Sequence, residues 1–346
     1  MNEFFKNKKV LVTGGACFIG SFLVESLLAD GAIVTVVDDL SSGKLENLDE
    51  VKDKIEFIMG DLRDGNVTNR VAQGKDIVFH LANIHGGRGF IETHPGELSQ
   101  NFLIDGNVFY YSHLNNVDRV VYTSSACAYP TNLQVADPTK QVRYLSEEMA
   151  DPFTEGAALS DGEYGWAKFM GEMALKAYNK QFGTKGVSCR LFTVYGPREN
   201  ESHAIIAFVA KAMIKQDPYE VWGTGQQDRN FTYVSDIVDG LKLACEKITD
   251  CRSVNIGTSE ITKIADAVQT VCDIMGHKPS QGFFFDTSKP EGVHARAAST
   301  ANQEMWLGWK PSVSFRDGIA KTIEWYQANR NAEDLKQNFE RKLFER

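Results

Sequence analysis

At roughly 100–200 residues per domain, the 346 residues have room for two domains, or for one large α/β domain carrying a lobe. With 42% hydrophobic and 24% charged residues the chain holds enough apolar side chain for a sizeable core, which excludes disorder. A formal net charge of −9 argues against a polyanion-binding surface and so against nucleic acid, and leaves only a local basic pocket for a phosphorylated small molecule.

The opening MNEFFKNKKV is polar and basic and runs directly into a strand-like VLVT. It has no apolar signal region, and no later stretch reaches membrane-spanning length, so a cytoplasmic protein without membrane contact is expected. From residue 9, KVLVT, a helix over 19–30, AIVTVVD, IEFIMGD and DIVFHLA alternate β-rich runs with helical patterns. A helix near 98–116, the strand RVVYTSS, a long loop to about 160, a helix over 162–182 and the strand VSCRLF follow. Strands separated by helix-length segments form βαβ units. The expected fold is therefore an α/β, Rossmann-type, doubly wound parallel sheet with helices on both faces.

After about 197, prolines at 197, 218, 279, 290 and 311 break shorter elements, so residues 1–195 read as the dinucleotide-binding domain and 196–346 as mainly a smaller mixed α/β lobe for substrate. Part of that lobe, about 230–260, returns to the main sheet, since VNIG at 254–257 reads as a strand. The charge-rich tail after Tyr326 reads as a solvated helix. Six cysteines at 17, 127, 189, 245, 251 and 272 show no Cys-x-x-Cys and no paired histidine spacing, so neither a metal site nor a disulfide framework is expected.

VLVTGGACFIG places Gly14, Gly15 and Gly20 between the first strand and the first helix, where bare backbone lets a pyrophosphate approach the helix N-terminus. Cys17 takes the middle glycine position of a Gly-x-x-Gly-x-x-Gly turn, with Phe18 and Ile19 completing the cofactor wall. Asp38 ends the second strand 18 residues after Gly20, where a carboxylate holds ribose hydroxyls and repels a 2′-phosphate, favouring NAD over NADP. Asp39 reads as a turn cap. Asp61 and Leu62 fit either an adenine contact or a plain turn.

Tyr164 and Lys168 in YGWAK are an i, i+4 pair on one helix face. An ammonium beside a phenol, with a cationic nicotinamide nearby, draws the tyrosine towards phenolate and makes it a general base. VVYTSS ends at the carboxyl edge of a parallel strand, where Ser125 is placed to hydrogen-bond a substrate hydroxyl and Ser124 to satisfy turn backbone.

TGGACFIG, GDLRD, TSSACAYP, YGWAK, VYGPRE, GTGQQDRNFTYVSD, VNIG and LGWKP, in this order, resemble the extended short-chain dehydrogenase/reductase family of NAD-dependent nucleotide-sugar epimerases and dehydratases. The resemblance implies that Ser125, Tyr164 and Lys168 oxidise a sugar hydroxyl with NAD, and that the enzyme is a homodimer. Within the family, SSACAYP and HGGRGF resemble the GDP-mannose 3,5-epimerase branch, and Ser-x-Cys-x-Tyr-Pro also resembles GDP-fucose synthases. Both imply an acid/base role for Cys127. His203 matches the synthases' histidine, where the epimerases have a lysine. Arg229 and Arg296 match diphosphate-binding arginines, and Gly87, Arg88, Thr193, Trp222 and Gln227 fall at substrate positions. Arg88 is read as reaching the sugar or a carboxylate on it, and Trp222 fits a core role as well.

The implied reaction is inversion at carbon 3 and/or 5 of a nucleotide-diphosphate sugar, a GDP-hexose favoured, through a 4-keto intermediate. Dehydration is disfavoured, because Ala126 and Cys127 stand where dehydratases carry Asp-Glu. A UDP- or GDP-hexose 4-epimerase, with Cys127 and His203 structural, is the main alternative. A catalytically silent NAD and nucleotide-sugar binder, with Cys17 spoiling the cofactor geometry, is the other. His80 reads as packing, while His85 and His94 are open between surface and substrate contact.

Overall fold

Seven stretches, most of them rich in Val, Ile or Phe, pair as parallel strands in the computed structural model, which describes residues 2–136, 143–150 and 160–342. They are β1 (Lys9–Thr13), β2 (Ile33–Asp38), β3 (Glu56–Met59), β4 (Ile77–His80), β5 (Arg119–Ser125), β6 (Lys185–Leu191) and β7 (Ser253–Ile256). Their order in the sheet is β7-β6-β5-β4-β1-β2-β3. The winding reverses between β1 and β4, and at such a switch point the loops leaving the carboxyl ends diverge and open a crevice.

Six helices frame the site: α1 (Phe18–Ala29), α2 (Gly65–Ala72), α3 (Asn101–Leu114), α4 (Gly162–Phe182), α5 (Ala204–Met213) and α6 (Val234–Lys247). Side chains along a strand point alternately to its two faces, so a strand covered on both sides must be apolar throughout. Accordingly Val10, Val12, Val34, Val36 and Val121 pack with Leu23, Val24 and Leu27 of α1 and Ile237 and Leu241 of α6. Leu11, Val37, Val120 and Tyr122 pack on the opposite face with Val71 of α2, Ile104 and Val108 of α3 and Leu175 of α4. Each fully buried Val or Leu contributes roughly 1.5–3 kcal/mol relative to an exposed one.

A second core joins α5 to α7 (Ile264–Met275) and α8 (Phe315–Asn329). Around it lie short ladders: Val194–Tyr195 with Thr232–Tyr233, Tyr219–Trp222 with Phe283–Asp286, and Asp228–Arg229 between Thr262–Lys263 and Ala295–Arg296. The last pairing sets Arg229 and Arg296 in register. The tail differs from its expectation. Its helix α9 (Ala332–Lys342) buries Leu335 and Phe339 in the second core, an i, i+4 apolar pair hidden among charges that occupy the other face.

α4 begins and ends where the helix over 162–182 is expected, stopped by Gly183 in the left-handed region (φ +71°). It is tied down internally by a buried ion pair. Glu172 accepts from Arg190 Nε (2.9 Å) and Nη2 (2.7 Å), and from the hydroxyls of Ser124 and Ser253. Ser124 thus bonds a helix carboxylate and not turn backbone, a partner 48 residues away that no local spacing announces.

Candidate active site

The turn between β1 and α1 forms because bulk is sterically excluded from it. Gly14 has φ +68°, and a Cβ there would meet Ala82 N at 2.9 Å; a Cβ at Gly20 would stand 2.1 Å from the Gly14 carbonyl oxygen. Cys17 caps α1 in an extended conformation, its thiol 3.7 Å from Asp38 Oδ2. The cysteine is therefore accommodated at the middle position by pointing at the end of β2. Asp38 is buried, accepting from Ala16 N (3.0 Å) and Leu40 N (2.9 Å), and burial pushes its carboxyl up against those bonds. Asp39 accepts from Ser41 N, the turn role expected of it. Asp61 pairs with Arg63, beside a buried Leu62. A glycine cradle at an open helix N-terminus, with a carboxylate at the end of β2, fits a dinucleotide.

Gly14, Cys17, Phe18, Ile19, Gly20, Asp38, Asp61 and Leu62 line one cavity of about 530 Å3 together with Gly87, Arg88, Ser125, Cys127, Tyr164, Thr193, His203, Trp222, Gln227, Arg229 and Arg296. Of the residues expected at the site, two lie outside this wall: Gly15, which backs onto the Val36 side chain, and Lys168. Its Nζ is buried, donates to Thr123 O (2.9 Å) and lies 5.8 Å from the Tyr164 ring centroid. Burial pushes this ammonium down, although Asp105 opposes it.

Tyr164 stands in the first turn of α4, which rests on the turn after β5; a Cβ on Gly165 would sit 2.3 Å from the Cys127 carbonyl oxygen. That close approach sets the phenol near Ser125, whose hydroxyl also accepts from Cys127 N at 3.1 Å. Burial and the neighbouring Cys127 push the phenol well up, and the Ser125 hydrogen bond pulls it back. The expected drop through Lys168 is absent from the protein alone, because desolvation dominates.

His203 is the N-cap residue of α5 but makes no side-chain cap hydrogen bond. Its Nδ1 lies 2.8 Å from Glu199 Oε1. His85 stands between Tyr164 and His203, its ring centroid 4.9 Å from that of the first and 5.1 Å from that of the second. The loop carrying it is fixed by Gly87, where a Cβ would fall 2.0 Å from Ser202 O. His94 stacks on Phe90 and His80 is buried between Thr13 and Asp105, both as packing.

Three arginines gather in the same cavity wall. Arg296 donates to Gln134 (2.7 Å), Asp161 (2.8 Å) and Cys127 Sγ (3.2 Å), and Arg88 bonds Asp161 (3.0 Å) and Glu92 (2.7 Å). Burial, Arg296 and Arg88 bring the Arg229 guanidinium down to about 10. Burial pushes the Asp161 carboxyl up, but Arg296 and Arg88 outweigh it and hold it below its ordinary value. Such a cluster suits the oxygens of a diphosphate. Sequence reasoning missed Asp161, which reads as an ordinary residue before a helix. It also missed Glu199, whose spacing of four from His203 was available. Among the described residues no group of three or more His, Cys, Asp or Glu is placed to hold a metal, and no helix is long and apolar enough to cross a membrane.

A model of the NAD dependent epimerase/dehydratase family matches residues 10–257. GDP-mannose 3,5-epimerase of Arabidopsis thaliana is 30% identical over 336 residues, covering 96% of this chain and 85% of that protein. UDP-glucose 4-epimerase of Mycolicibacterium smegmatis is 31% identical over 325 residues, covering 92% and 98%. Among solved structures, Thermotoga maritima UDP-glucose 4-epimerase with UDP-glucose matches with a TM-score of 0.81 at 26% identity, covering 92% of this chain and 99% of that one. The Thermus thermophilus UDP-glucose 4-epimerase complex with NAD matches at 0.78 and 25%, covering 93% and 100%.

Proposed function

The chain belongs to the NAD-dependent epimerase/dehydratase family, and from that premise we propose that it is a redox-neutral nucleotide-sugar epimerase, inverting carbon 3, carbon 5 or both of a GDP-hexose through a 4-keto intermediate. The observation that carries this reading is the presence of Cys127 and His203 in the wall of the same cavity as Ser125 and Tyr164. NAD is the cofactor; Gly14, Cys17, Gly20 and Asp38 would hold it, and it would supply the acceptor and later the donor of the carbon-4 hydride, with a positive charge that would oppose the burial keeping Tyr164 protonated.

In this reading Tyr164 Oη takes the proton of the carbon-4 hydroxyl while Ser125 Oγ holds that oxygen. The resulting ketone acidifies the hydrogens on carbons 3 and 5, because the carbanion delocalises into an enolate. Cys127 Sγ and the His203 imidazole then exchange protons with the ring, one removing from one face and the other returning to the opposite face. A plain 4-epimerase needs neither group. Arg229 and Arg296 hold the diphosphate, with Arg296 also reaching the thiol, so the sugar is gripped next to the sulfur. A homodimer is part of the proposal; Tyr110, Leu114, Trp166 and Met170 on α3 and α4 are exposed apolar surface for a second copy to cover.

The test is incubation of the NAD-loaded enzyme with GDP-mannose in deuterated water, with the exchanged carbons read by NMR. Deuterium is expected at carbon 3, carbon 5 or both. Cys127→Ser is expected to slow exchange at one of them by roughly 10²–10⁴-fold while reduced-nicotinamide absorbance still develops. Full exchange in that variant removes Cys127 from the reaction. The similarity to UDP-glucose 4-epimerases supports a second reading, inversion at carbon 4 alone. Its signature is epimerised product with no solvent deuterium and no response to Cys127→Ser.

A further inference from the structure

The acid beside His203 has no place in the mechanism above. Glu199 is only 4% exposed, lines the cavity and lies four residues before the histidine. One of its oxygens meets His203 Nδ1; the other, Oε2, has no hydrogen-bond partner, and neither does His203 Nε2. A buried carboxylate and a buried ring nitrogen left open side by side are costly in a fold that satisfies most of its polar groups.

The segment is held at both ends. Arg198 sits in the left-handed region (φ +72°), its guanidinium donating to Ser21 (3.1 Å) and Glu25 (2.7 Å) of α1. Such a conformation in a non-glycine residue costs of order 1–3 kcal/mol and persists where surrounding contacts over-determine it. At the other end, Ser202 is packed against Gly87 of the glycine loop. Glu199 and His203 are thus fixed relative to the cofactor helix and to the loop that carries His85.

We propose that Glu199 is a positioning residue that sets the tautomer of His203 and so makes its Nε2 the nitrogen that exchanges a proton with the sugar. An ionised carboxylate only accepts, so with Glu199 charged Nδ1 carries the hydrogen the two share, and the lone pair is left on Nε2. When Nε2 takes a proton from carbon, both ring nitrogens become donors and Glu199 stabilises the imidazolium; when the proton is returned, the same tautomer is restored. Among the described residues, Glu199 on its own segment and His85 from the glycine loop face His203, and Tyr164 lies beyond His85. This inference rests on the proposed acid/base role of His203, and the test separates the two.

Nitrogen-15 NMR of the NAD-loaded enzyme is expected to show His203 protonated at Nδ1 in the neutral form, and Glu199→Gln to give a mixture of tautomers. The same variant is expected to slow deuterium exchange into the sugar by about 10–100-fold, with KM changed less than twofold and reduced-nicotinamide absorbance developing as in wild type. It is expected to add no further loss in a His203→Asn background, because groups acting as a unit are not additive. A wild-type histidine protonated at Nε2 overturns the proposal without any variant. So does a Glu199→Gln enzyme in which exchange and hydride transfer fall together. Wild type that inverts carbon 4 with no exchange overturns the reaction proposed above, while the NMR result still decides whether Glu199 sets the tautomer.

Discussion

Two buried glutamates in this chain meet opposite fates. Glu172, in the middle of α4, is completely buried and has both oxygens spent on Arg190, Ser124 and Ser253; burial pushes its carboxyl up, but Arg190 and the hydroxyls outweigh it and hold it below the ordinary value. Glu199 is nearly as buried, yet has one histidine, the Gly196 backbone N–H and an open oxygen, and burial wins, pushing its carboxyl up. Desolvation is common to both, so the difference lies in what faces them. A cation that cannot release its proton makes a fixed tie between α4 and the sheet; an imidazole that can release it makes a pair able to change state. The first arrangement holds the tyrosine helix in place, and the second stands at the cavity.

Breaking the first should cost most. Glu172→Gln leaves Arg190 buried without its partner, and a loss of about 3–5 kcal/mol in denaturant unfolding at neutral pH is expected. Because the folded pKa of Glu172 is lowered, its contribution is full above the ordinary carboxylate value and disappears as pH falls through the folded value, so the gap between wild type and variant should narrow in acid. Glu199→Gln should behave in the opposite sense. Its folded pKa is raised, so the wild-type residue favours folding in acid and loses that contribution as pH rises. The permanently neutral variant is then expected to be as stable as wild type at neutral pH, or up to about 1 kcal/mol more stable. An unfolding loss as large as that of Glu172→Gln would end the distinction between tie and working pair. The smallest effect sharpens the contrast: the pairs share no partner, so the double variant should equal the sum of the singles within about 0.5 kcal/mol.

The sheet, its covering helices and the cavity were legible because each leaves a short-range signature. Apolar β-rich runs, glycines in a strand-to-helix turn and a Tyr-Lys pair at i, i+4 are each read from a short stretch of adjacent residues. Pairings across the chain were not legible. Ser124 looks like a turn residue until Glu172 is brought to it, and Asp161 looks like a helix start until Arg88 and Arg296 converge on it from 73 and 135 residues away. The lysine of the Tyr-Lys pair illustrates a different limit. Helical spacing puts Tyr164 and Lys168 on one side of α4, but cannot say that the ammonium is committed to the Thr123 carbonyl, behind the cavity wall. Leu335 and Phe339 were hidden by composition, since a charged helix with a single buried pair reads as surface.

The position of β7 bears on how this chain can be made. Residues 253–256 complete the sheet edge beside β6, and α6, which covers β5 and β6, also follows the first 195 residues. During synthesis the sheet must therefore wait, with β6 unpaired on one side and its apolar face bare, until much of the second lobe has left the ribosome. A truncation after Tyr195 would leave β6 without its β7 neighbour and without the α6 cover.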